Sequence, residues 1–376
     1  MSSAESIAAA IRESQGSIVP TGAGTKAALS ACDAAVTRLD MRQHSGVVSY
    51  DPSEFLISAK AGTPLAEIEA TLNEHQQYLP FDPLFVPQGA TLAGTVASGL
   101  SGAGRLLYGS LRDFVMEVQL VDGLGQLVRG GGKVVKNAAG FDLPKLVVGS
   151  YGRLGVMTEV TLKVFPRPPA SATLRCQASS WPRAIAAVQA LLAQPLPTSA
   201  VDVEPSVAGG VTLWARFAAP SDSLPQVLRR AAEVCSLTSD SIVDTQQEQA
   251  LWHSRAAGLE QHATQQEQYL VRIATTLPVL AGLIPDLHTL TDAQVHCTGA
   301  GSVTWLSLPA RDQSGGELEK LNALLQARGL AAIVINGPVS TLSPLGATGW
   351  LAQADRIQRA IDPQHKFLRY QPAPAP

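Results

Sequence analysis

Three glycine-rich segments contain the residues of this sequence that could do chemistry. Each segment lies beside a predicted strand. The segments are residues 20–26, 91–104 and 149–155. A bound phosphate is one reason for such segments, because backbone N–H groups hold anions and only small residues let the backbone come close. Thr21 and Thr25 add hydroxyl donors to the first segment, and Lys26 adds a positive charge. The alternative is that these glycines only form turns.

Two well-known phosphate motifs do not match the first segment. A P-loop requires a lysine followed by Ser or Thr, but here Thr25 precedes Lys26 and Ala27 follows it. The Rossmann fingerprint begins at Gly22 and Gly24, and then has Ala27 in place of its last glycine. The tight Gly-x-Gly therefore needs support from the rest of the chain.

Composition narrows the class of protein. With 376 residues the chain can form two or three domains, each with its own core. The net charge of −3 gives no electrostatic case for nucleic acid. No window reaches the ~18 consecutive apolar residues of a membrane span. The first residues also lack the basic start and apolar core of a signal peptide. We expect a cytoplasmic protein.

Cysteines and histidines are scattered. The four cysteines form no Cys-x-x-Cys pair, and the seven histidines form no His-Glu-x-x-His or His-x-His motif. This spacing argues against an iron–sulfur cluster or another metal site in this chain. If electrons leave through iron–sulfur centres, another chain must carry those centres.

The hydrophobic pattern predicts an α+β protein of short units. Helices are predicted at residues 2–15, 65–72, 181–192, 224–235, 246–268, 317–328 and 351–361. Strands are predicted at residues 17–19, 36–39, 47–50, 55–60, 114–121, 126–129, 156–164, 211–217, 271–274, 294–296, 302–308 and 331–336. Thr63 is the predicted N-cap of the second helix, with Pro64 at its first position.

A proline-rich stretch at residues 166–169 is the clearest boundary, because it cannot continue a strand. We expect domains at residues 1–168 and 169–340, then a carboxyl-terminal helix and disordered end at 341–376.

Five ordered segments resemble a known family. They are residues 20–26, 62–64, 91–94, 108–113 and 136–166. Their order and wording are similar to the FAD-binding domain of the vanillyl-alcohol oxidase type, also called PCMH-type. Within that family, residues 136–166 most resemble the FAD-binding subunits of bacterial glycolate oxidase complexes. The resemblance implies an FAD-binding domain of two α+β subdomains, followed by a smaller α+β cap-like domain.

The family fold implies a set of FAD contacts. At the diphosphate they are Thr21, Gly22, Ala23, Gly24, Thr25 and Lys26. Along the flavin and ribityl chain they are Thr91, Gly94, Thr95 and Ser98. In the same cleft they are Gly109, Arg112 and Asp113. At the adenosine end they are Gly155, Val156 and Val160. The first loop has no histidine to tether the flavin, so the resemblance implies non-covalent FAD.

Several of these residues also have a purely structural interpretation. Arg112 and Asp113 could form an ion pair. Tyr108 could belong to the core, Lys26 could be an exposed loop lysine, and Lys136 with Asn137 could only cap a turn.

The second half departs from the catalytic relatives. Their histidine-rich signature, of the His-x-His-x-Gly-Asp-Gly-Asn kind, is reduced here to residues 296–301 with one histidine. His253, His262 and Arg272 could face a cleft, but the sequence does not bring them together, so no catalytic residue or metal ligand is predicted.

The resemblance implies a subunit of a complex that oxidises glycolate, and also D-lactate, to the 2-oxo acid. A homologous FAD-binding catalytic subunit and an iron–sulfur subunit are the implied partners, and any membrane contact, at the inner membrane, would come through them. The alternatives are a self-sufficient FAD-dependent dehydrogenase of another hydroxy acid or alcohol, and a non-enzymatic scaffold subunit without flavin.

Overall fold

The computed structural model describes residues 3–132, 142–206, 209–243, 245–264, 267–310 and 316–370. Two predicted features lie outside these ranges. They are the polar turn at residues 136–140, which contains Lys136 and Asn137, and the disordered end at residues 371–376.

The strands are numbered in chain order. They are β1 (Ile18–Thr21), β2 (Thr37–Asp40), β3 (Val47–Asp51), β4 (Leu56–Lys60), β5 (Gln77–Tyr78), β6 (Val115–Val121), β7 (Leu127–Gly131), β8 (Val156–Lys163), β9 (Phe165–Pro166), β10 (Ser171–Ala178), β11 (Thr198–Pro205), β12 (Val211–Ala218), β13 (Thr238–Ile242), β14 (Gln268–Ala274), β15 (Gln294–Thr298), β16 (Val303–Pro309), β17 (Ala331–Asn336) and β18 (Pro344–Gly346).

The α-helices are numbered in the same way. They are α1 (Ala4–Glu13), α2 (Leu65–Asn73), α3 (Leu92–Ser98), α4 (Arg105–Tyr108), α5 (Leu143–Val147), α6 (Trp181–Leu192), α7 (Leu224–Cys235), α8 (Thr245–Thr264), α9 (Leu277–Leu287), α10 (Gly316–Ala327) and α11 (Leu351–Ile361). Short 3-10 helices cover Ala27–Ser30, Leu111–Asp113 and Gly299–Gly301.

The described part of the amino-terminal region, residues 3–166, contains one five-stranded sheet and two two-stranded sheets, of which one is the antiparallel pair β5-β9. A five-stranded antiparallel sheet has the order β3-β4-β8-β6-β7, with β8 at its centre. Both faces of β8 are covered, since Val160 faces the core and Thr161 on the other face is also buried. A smaller parallel pair joins β1 to β2. The chain returns here at its end, where Phe367 forms a parallel bridge with Ile18.

The second region, residues 171–346, is one nine-stranded sheet. Its order is β13-β10-β12-β11-β15-β16-β14-β17-β18. Helices α6, α7, α9 and α10 pack on one face through a continuous apolar core. The opposite face meets α8 and the amino-terminal region, and its Leu270, Trp305 and Ile333 share a core with residues of that region. The two regions are therefore joined by packed side chains.

Most predicted elements are present, with three informative differences. Residues 91–104 contain helix α3, where a loop was predicted. Packing compensates for the weak helix formers in this stretch, and Gly99 ends the helix in a left-handed conformation. The N-cap of α2 is Pro64 rather than Thr63, whose hydroxyl instead donates to the Lys60 carbonyl at 2.7 Å. Strands β10 and β11 were not predicted. Among the described helices, none is long and apolar enough to cross a membrane.

Candidate functional site: a cationic cleft beside the second region

A cleft opens where the glycine-rich segments meet, and with its open mouth it holds about 750 Å³. Its walls come from the β1 loop, α3 and the loop before β8. The lining residues are Pro20, Thr21, Gly22, Ala23, Gly24, Thr25, Lys26, Leu29, Ser30, Met41, Ala61, Thr91, Ala93, Gly94, Ala97, Ser98, Tyr151, Gly152, Gly155 and Met157.

Small residues allow these walls to come together. A Cβ on Gly22 would lie 2.3 Å from the Thr91 hydroxyl oxygen, so only glycine fits between the first loop and α3. Gly24 has a φ of +73° and no atom within 4 Å of a Cβ position, so its backbone faces open space. The first loop is thus bent tightly with its backbone accessible to a ligand.

Backbone donors in this loop are unused. Within the described residues, no backbone hydrogen bond is donated by the N–H groups of Gly22, Ala23, Gly24 or Thr25. The second region holds the end of the loop, because the Asn336 side chain accepts from the Ala27 N–H at 2.8 Å and donates to the Thr25 carbonyl at 3.0 Å. A row of unused N–H groups in a fixed loop is a site for an anion.

Lys26 gives the cleft a buried positive charge. Its side chain is only 8% exposed, so the exposed-lysine interpretation is wrong. The ammonium lies 4.9 Å from the centre of the Phe85 ring and donates to the Thr25 hydroxyl at 2.9 Å. Burial lowers the pKa of Lys26 to about 8, and the carboxylate of Glu260 on α8 opposes this shift. No Asp or Glu is among the lining residues.

The structure brings most predicted site residues together. Ten of them line the cleft, namely Thr21, Gly22, Ala23, Gly24, Thr25, Lys26, Thr91, Gly94, Ser98 and Gly155. Thr95 lies just behind the wall, 2% exposed, and its hydroxyl has no hydrogen-bond partner. Val156 and Val160 are fully buried in the core behind the cleft.

Three further predicted residues, Gly109, Arg112 and Asp113, also do not line the cleft. The Asp113 carboxylate accepts from the Ser110 N–H at 2.8 Å and caps a 3-10 turn, and a side chain at Gly109 would collide with it. Arg112 is exposed. The alternative interpretation also fails, since no Arg112–Asp113 ion pair occurs within the described ranges. The half-buried Tyr108 ring packs against the core, with its centre 5.6 Å from the centre of the Phe165 ring.

The cleft is also lined by residues that were not among the predicted FAD contacts. They include Tyr151, Gly152, Met157 and Met41. Tyr151 has a φ of +53°, which is unusual for a residue with a side chain. Burial raises the pKa of Tyr151, while the charges of Arg272 and Arg153 oppose that shift. The density of glycines around Tyr151 was the only sequence signal for its special backbone.

Two further cations lie near the cleft. Arg272, on β14 of the second region, is half-buried and close enough to influence Tyr151. Arg105 on α4 packs over Gly299, where a Cβ would meet its side chain at 3.1 Å. Burial lowers the pKa of both guanidinium groups. Neither forms an ion pair with a described residue, although the charge of Asp113 opposes the lowering of the Arg105 pKa.

A cluster of buried charges elsewhere in the second region is already paired. Arg255 donates to Glu204 at 2.6 Å, and His296 contacts Glu204 at 2.9 Å and Asp202 at 3.1 Å. Both ring nitrogens of His296 face oxygens that only accept, so the ring is an imidazolium. Burial alone would lower the pKa of His296, but its bonds to Asp202 and Glu204 raise it. Within the described residues, no group of His, Cys, Asp and Glu is arranged to hold a metal.

The residues of the cleft fit FAD. The unused N–H groups and Lys26 suit a diphosphate, the glycines leave room where a Cβ would intrude, and the unpartnered Thr95 hydroxyl is a donor without a ligand. An anion would find no carboxylate among the lining residues. These observations match a dinucleotide better than a simple apolar ligand.

Comparison with known proteins agrees with this fit. Residues 1–131 match the family model described as "FAD binding domain". The chain is 48% identical over 161 residues to glycolate oxidase subunit GlcE of Escherichia coli, which covers 43% of this chain and 46% of that protein. It is 30% identical over 158 residues to glycolate oxidase subunit GlcD of Bacillus subtilis, covering 42% of this chain and 33% of that protein. The aligned part thus spans less than half of these relatives.

Similarity in fold extends over the whole chain. An alkyldihydroxyacetonephosphate synthase structure superposes with a TM-score of 0.71 at 16% identity, covering 98% of this chain and 74% of that one. The fold of the chain is therefore α+β, its residues 1–131 match an FAD-binding domain, and its cofactor is FAD. The resemblance to glycolate oxidase subunits is confirmed.

Proposed function

We propose that this chain is the FAD-binding subunit of a complex that oxidises a small 2-hydroxy acid, with glycolate and D-lactate as the expected substrates. The observation that carries the proposal is a cleft with FAD-binding features, in which the lining residue Tyr151 lies within electrostatic reach of Arg272 on β14. The named activities of the relatives support it, since they include glycolate oxidase subunits and a D-lactate dehydrogenase of Anaerostipes hadrus that is 30% identical over 170 residues.

The chain's own residues supply binding and charge. Lys26 and the N–H groups of the first loop would hold the diphosphate, and the ten cleft-lining residues predicted from sequence are proposed as FAD contacts. Bound FAD supplies a two-electron acceptor for the hydride of a hydroxy acid. Arg272 and Arg105 would attract the carboxylate of such an acid toward the cleft.

The division of labour within the complex follows from what lines the cleft. Removal of the hydroxyl proton needs a base, and of the lining residues that could accept a proton, Lys26 is assigned to the diphosphate and burial raises the pKa of Tyr151, which keeps its hydroxyl protonated. Substrate oxidation is therefore assigned to a homologous FAD-binding partner subunit, and this chain relays electrons or supports the complex. An iron–sulfur subunit would carry electrons onward, and any contact with a membrane would come through these partners.

The absorbance spectrum of the isolated chain is the decisive experiment. We expect flavin bands that disappear from the polypeptide after acid denaturation, as non-covalent FAD requires, and that persist when glycolate or D-lactate is added anaerobically. Bleaching should require the co-purified partner subunits. A colourless chain that takes up no added FAD would refute the proposal and favour a scaffold subunit.

A second candidate function is a self-sufficient FAD-dependent dehydrogenase. Arg272 favours it, because a half-buried guanidinium without an ion-pair partner is suited to bind a substrate carboxylate. In that case the isolated chain bleaches within seconds with its substrate. Arg272→Met would then raise KM strongly, and Arg272→Lys would restore part of the loss.

The domain arrangement is also proposed, with units at residues 1–168 and 169–340 and a final segment at 341–376. Because the second region packs on the first through Leu270 and Trp305, limited proteolysis should cut near residues 166–169 only slowly in the intact chain. Rapid cleavage there would contradict this packed arrangement.

A further inference from the structure

Arg153, in the loop before β8, is a buried guanidinium without an anionic partner. Its side chain belongs to a residue that is 1% exposed, and no carboxylate pairs with it within the described residues. Burial lowers its pKa to about 10. Burying a charge without a counter-ion costs free energy. The contacts of the Arg153 side chain indicate what role it has in the cleft.

The guanidinium joins the two walls of the cleft. Its Nη1 donates to the Leu29 carbonyl at 3.0 Å and to the Tyr151 carbonyl at 2.8 Å. Leu29 follows the first loop, whereas Tyr151 belongs to the loop before β8, and both residues line the cleft. One side chain therefore sets the distance between walls that are more than 120 residues apart in sequence.

The carboxyl-terminal segment, residues 362–370, holds Arg153 from behind. Nε of Arg153 donates to the Arg369 carbonyl at 3.4 Å, and the Tyr370 ring lies 5.8 Å from the guanidinium carbon. The Tyr370 hydroxyl donates to the Ser150 carbonyl at 2.9 Å. Gln358 on α11 donates to the carbonyls of Arg153 at 2.9 Å and Leu368 at 2.7 Å.

The same segment is fixed to the strand that leads into the first loop. The Ile18 N–H donates to the Lys366 carbonyl at 2.6 Å, and the Phe367 side chain is 1% exposed. The Asp362 carboxylate accepts from the N–H groups of Lys366 and Phe367 at 2.8 Å each, which fixes the turn. Residues 362–370 thus connect both walls of the cleft.

We propose that Arg153 is a positioning residue for FAD, and that residues 362–370 act through it as a clamp on the two cleft walls. The proposal rests on the assignment of this cleft to FAD. The clamp fixes the spacing of the walls, and the uncompensated charge of Arg153 adds to the attraction for the diphosphate. Loosening the clamp should weaken FAD binding without removing any cleft-lining side chain.

Titration of the full-length apo-protein with FAD, followed by quenching of flavin fluorescence, tests the clamp. Tyr370→Phe removes one hydrogen bond and should raise the Kd about fivefold. Arg153→Met removes several bonds and should raise it more than tenfold. Tyr50→Phe is the matched control, because the Tyr50 hydroxyl bonds Gln77 at 3.0 Å away from the cleft. It should leave the Kd unchanged.

Salt dependence separates this role from a merely structural one. The wild-type Kd should rise with NaCl, because the cleft attracts an anion. Arg153→Met should flatten that dependence, and Arg153→Lys should retain it while its Kd stays raised, because a lysine has no second nitrogen to hold the Arg369 carbonyl as Nε does. A structural residue would lower thermal stability and leave the salt dependence as in wild type.

The possible failures can be told apart. If the wild-type chain takes up no FAD, the assignment of the cleft is wrong. If it binds FAD and both Tyr370→Phe and Arg153→Met bind equally well, only the clamp is refuted. Should Arg153→Met fail to fold, Tyr370→Phe and its Tyr50→Phe control decide the question alone.

Discussion

The cleft differs from the charge cluster around Arg255 in the second region in how its buried charges are compensated. At the cleft, Lys26 and Arg153 are buried without ion-pair partners in the described chain. In the second region, Arg255 lies between the Trp214 and Trp252 rings, at 4.8 Å and 5.6 Å, and its charge is neutralised by carboxylates. We interpret the unpaired charges of the cleft as ligand-binding groups and the paired charges around Arg255 as structural groups. The following predictions test that contrast, from the largest expected effect to the smallest.

Removing the paired arginine should cost the most stability. Arg255→Met leaves the Asp202 and Glu204 carboxylates partly uncompensated, and breaking a buried pair in this way costs about 3–5 kcal/mol. Arg175→Met is the control, since Arg175 and its partner Asp240 are 44% and 52% exposed and should contribute less than about 1 kcal/mol. Urea unfolding measures both. Equal losses would mean that burial does not decide the value of these pairs.

Removing the unpaired lysine should act on the ligand instead. Lys26→Met should raise the Kd for FAD about 10- to 100-fold, as expected for a lost charged contact. The apo-protein should lose little stability at pH 7, because the cost of desolvating the ammonium offsets its attraction to the Glu260 carboxylate. Parallel FAD titration and urea unfolding test this. A destabilised apo-protein with normal FAD affinity would reverse the assignment.

The pH dependence of FAD binding should follow Lys26. Burial lowers the pKa of Lys26 to about 8, so in the free chain the amine is mostly neutral above that pH. A diphosphate favours the protonated form, and binding must then take up a proton. The Kd should therefore rise as the pH increases from 7.5 to 9.5. In Lys26→Met that rise should be absent, which a titration series in one buffer system checks.

The pH dependence of stability should have opposite signs at the two sites. His296 has a raised pKa, so its contribution is full below its ordinary pKa near 6.5 and is lost as the pH rises through the folded value. Lys26 has a lowered pKa, so its penalty fades as the pH rises from about 8 toward 10.5. Urea unfolding of wild type, His296→Gln and Lys26→Met between pH 6 and 10 separates the two. His296→Gln should remove only the falling component.

Thr95 should give the smallest effect. Its buried hydroxyl has no hydrogen-bond partner among the described residues, so Thr95→Val should change the stability of the apo-protein by less than about 1 kcal/mol. If the hydroxyl serves FAD, the Kd should rise by about threefold to tenfold. Thr173→Val is the contrast, because that hydroxyl bonds Glu248 at 3.0 Å and its loss should reduce stability. If Thr95→Val and Thr173→Val change stability and FAD affinity in the same way, the distinction between the two hydroxyls is wrong.

Local sequence predicted the elements whose own residues decide their conformation. Helices α6 and α7 have the predicted bounds, because their apolar residues repeat with a helical period and prolines occupy their first turns. The glycine-rich loops were found because backbone bent to these angles requires residues without side chains. These signals are contained within a few neighbouring positions.

Elements that depend on distant partners were missed. Helix α3 contains Gly94, Thr95 and Ser98, which are weak helix formers, and packing against the five-stranded sheet stabilises it. Strands β10 and β11 carry Thr173, Asp202 and Glu204 on the face under α8, so their buried surface does not have the apolar pattern of a strand. Whether a polar residue is buried can be seen only in the folded chain, where its hydrogen-bond and ion-pair partners surround it.

The sequence by itself determined the FAD-binding class through the resemblance of five ordered segments to a known family, whose glycines are local signals because they allow the backbone to approach a ligand closely. The tertiary structure decided which charges are paired. Arg255 meets Glu204 across 51 positions, and Arg153 meets the Leu29 carbonyl across 124. A residue's charge is known from its type, but its counter-ion and its burial depend on contacts that only the folded chain creates.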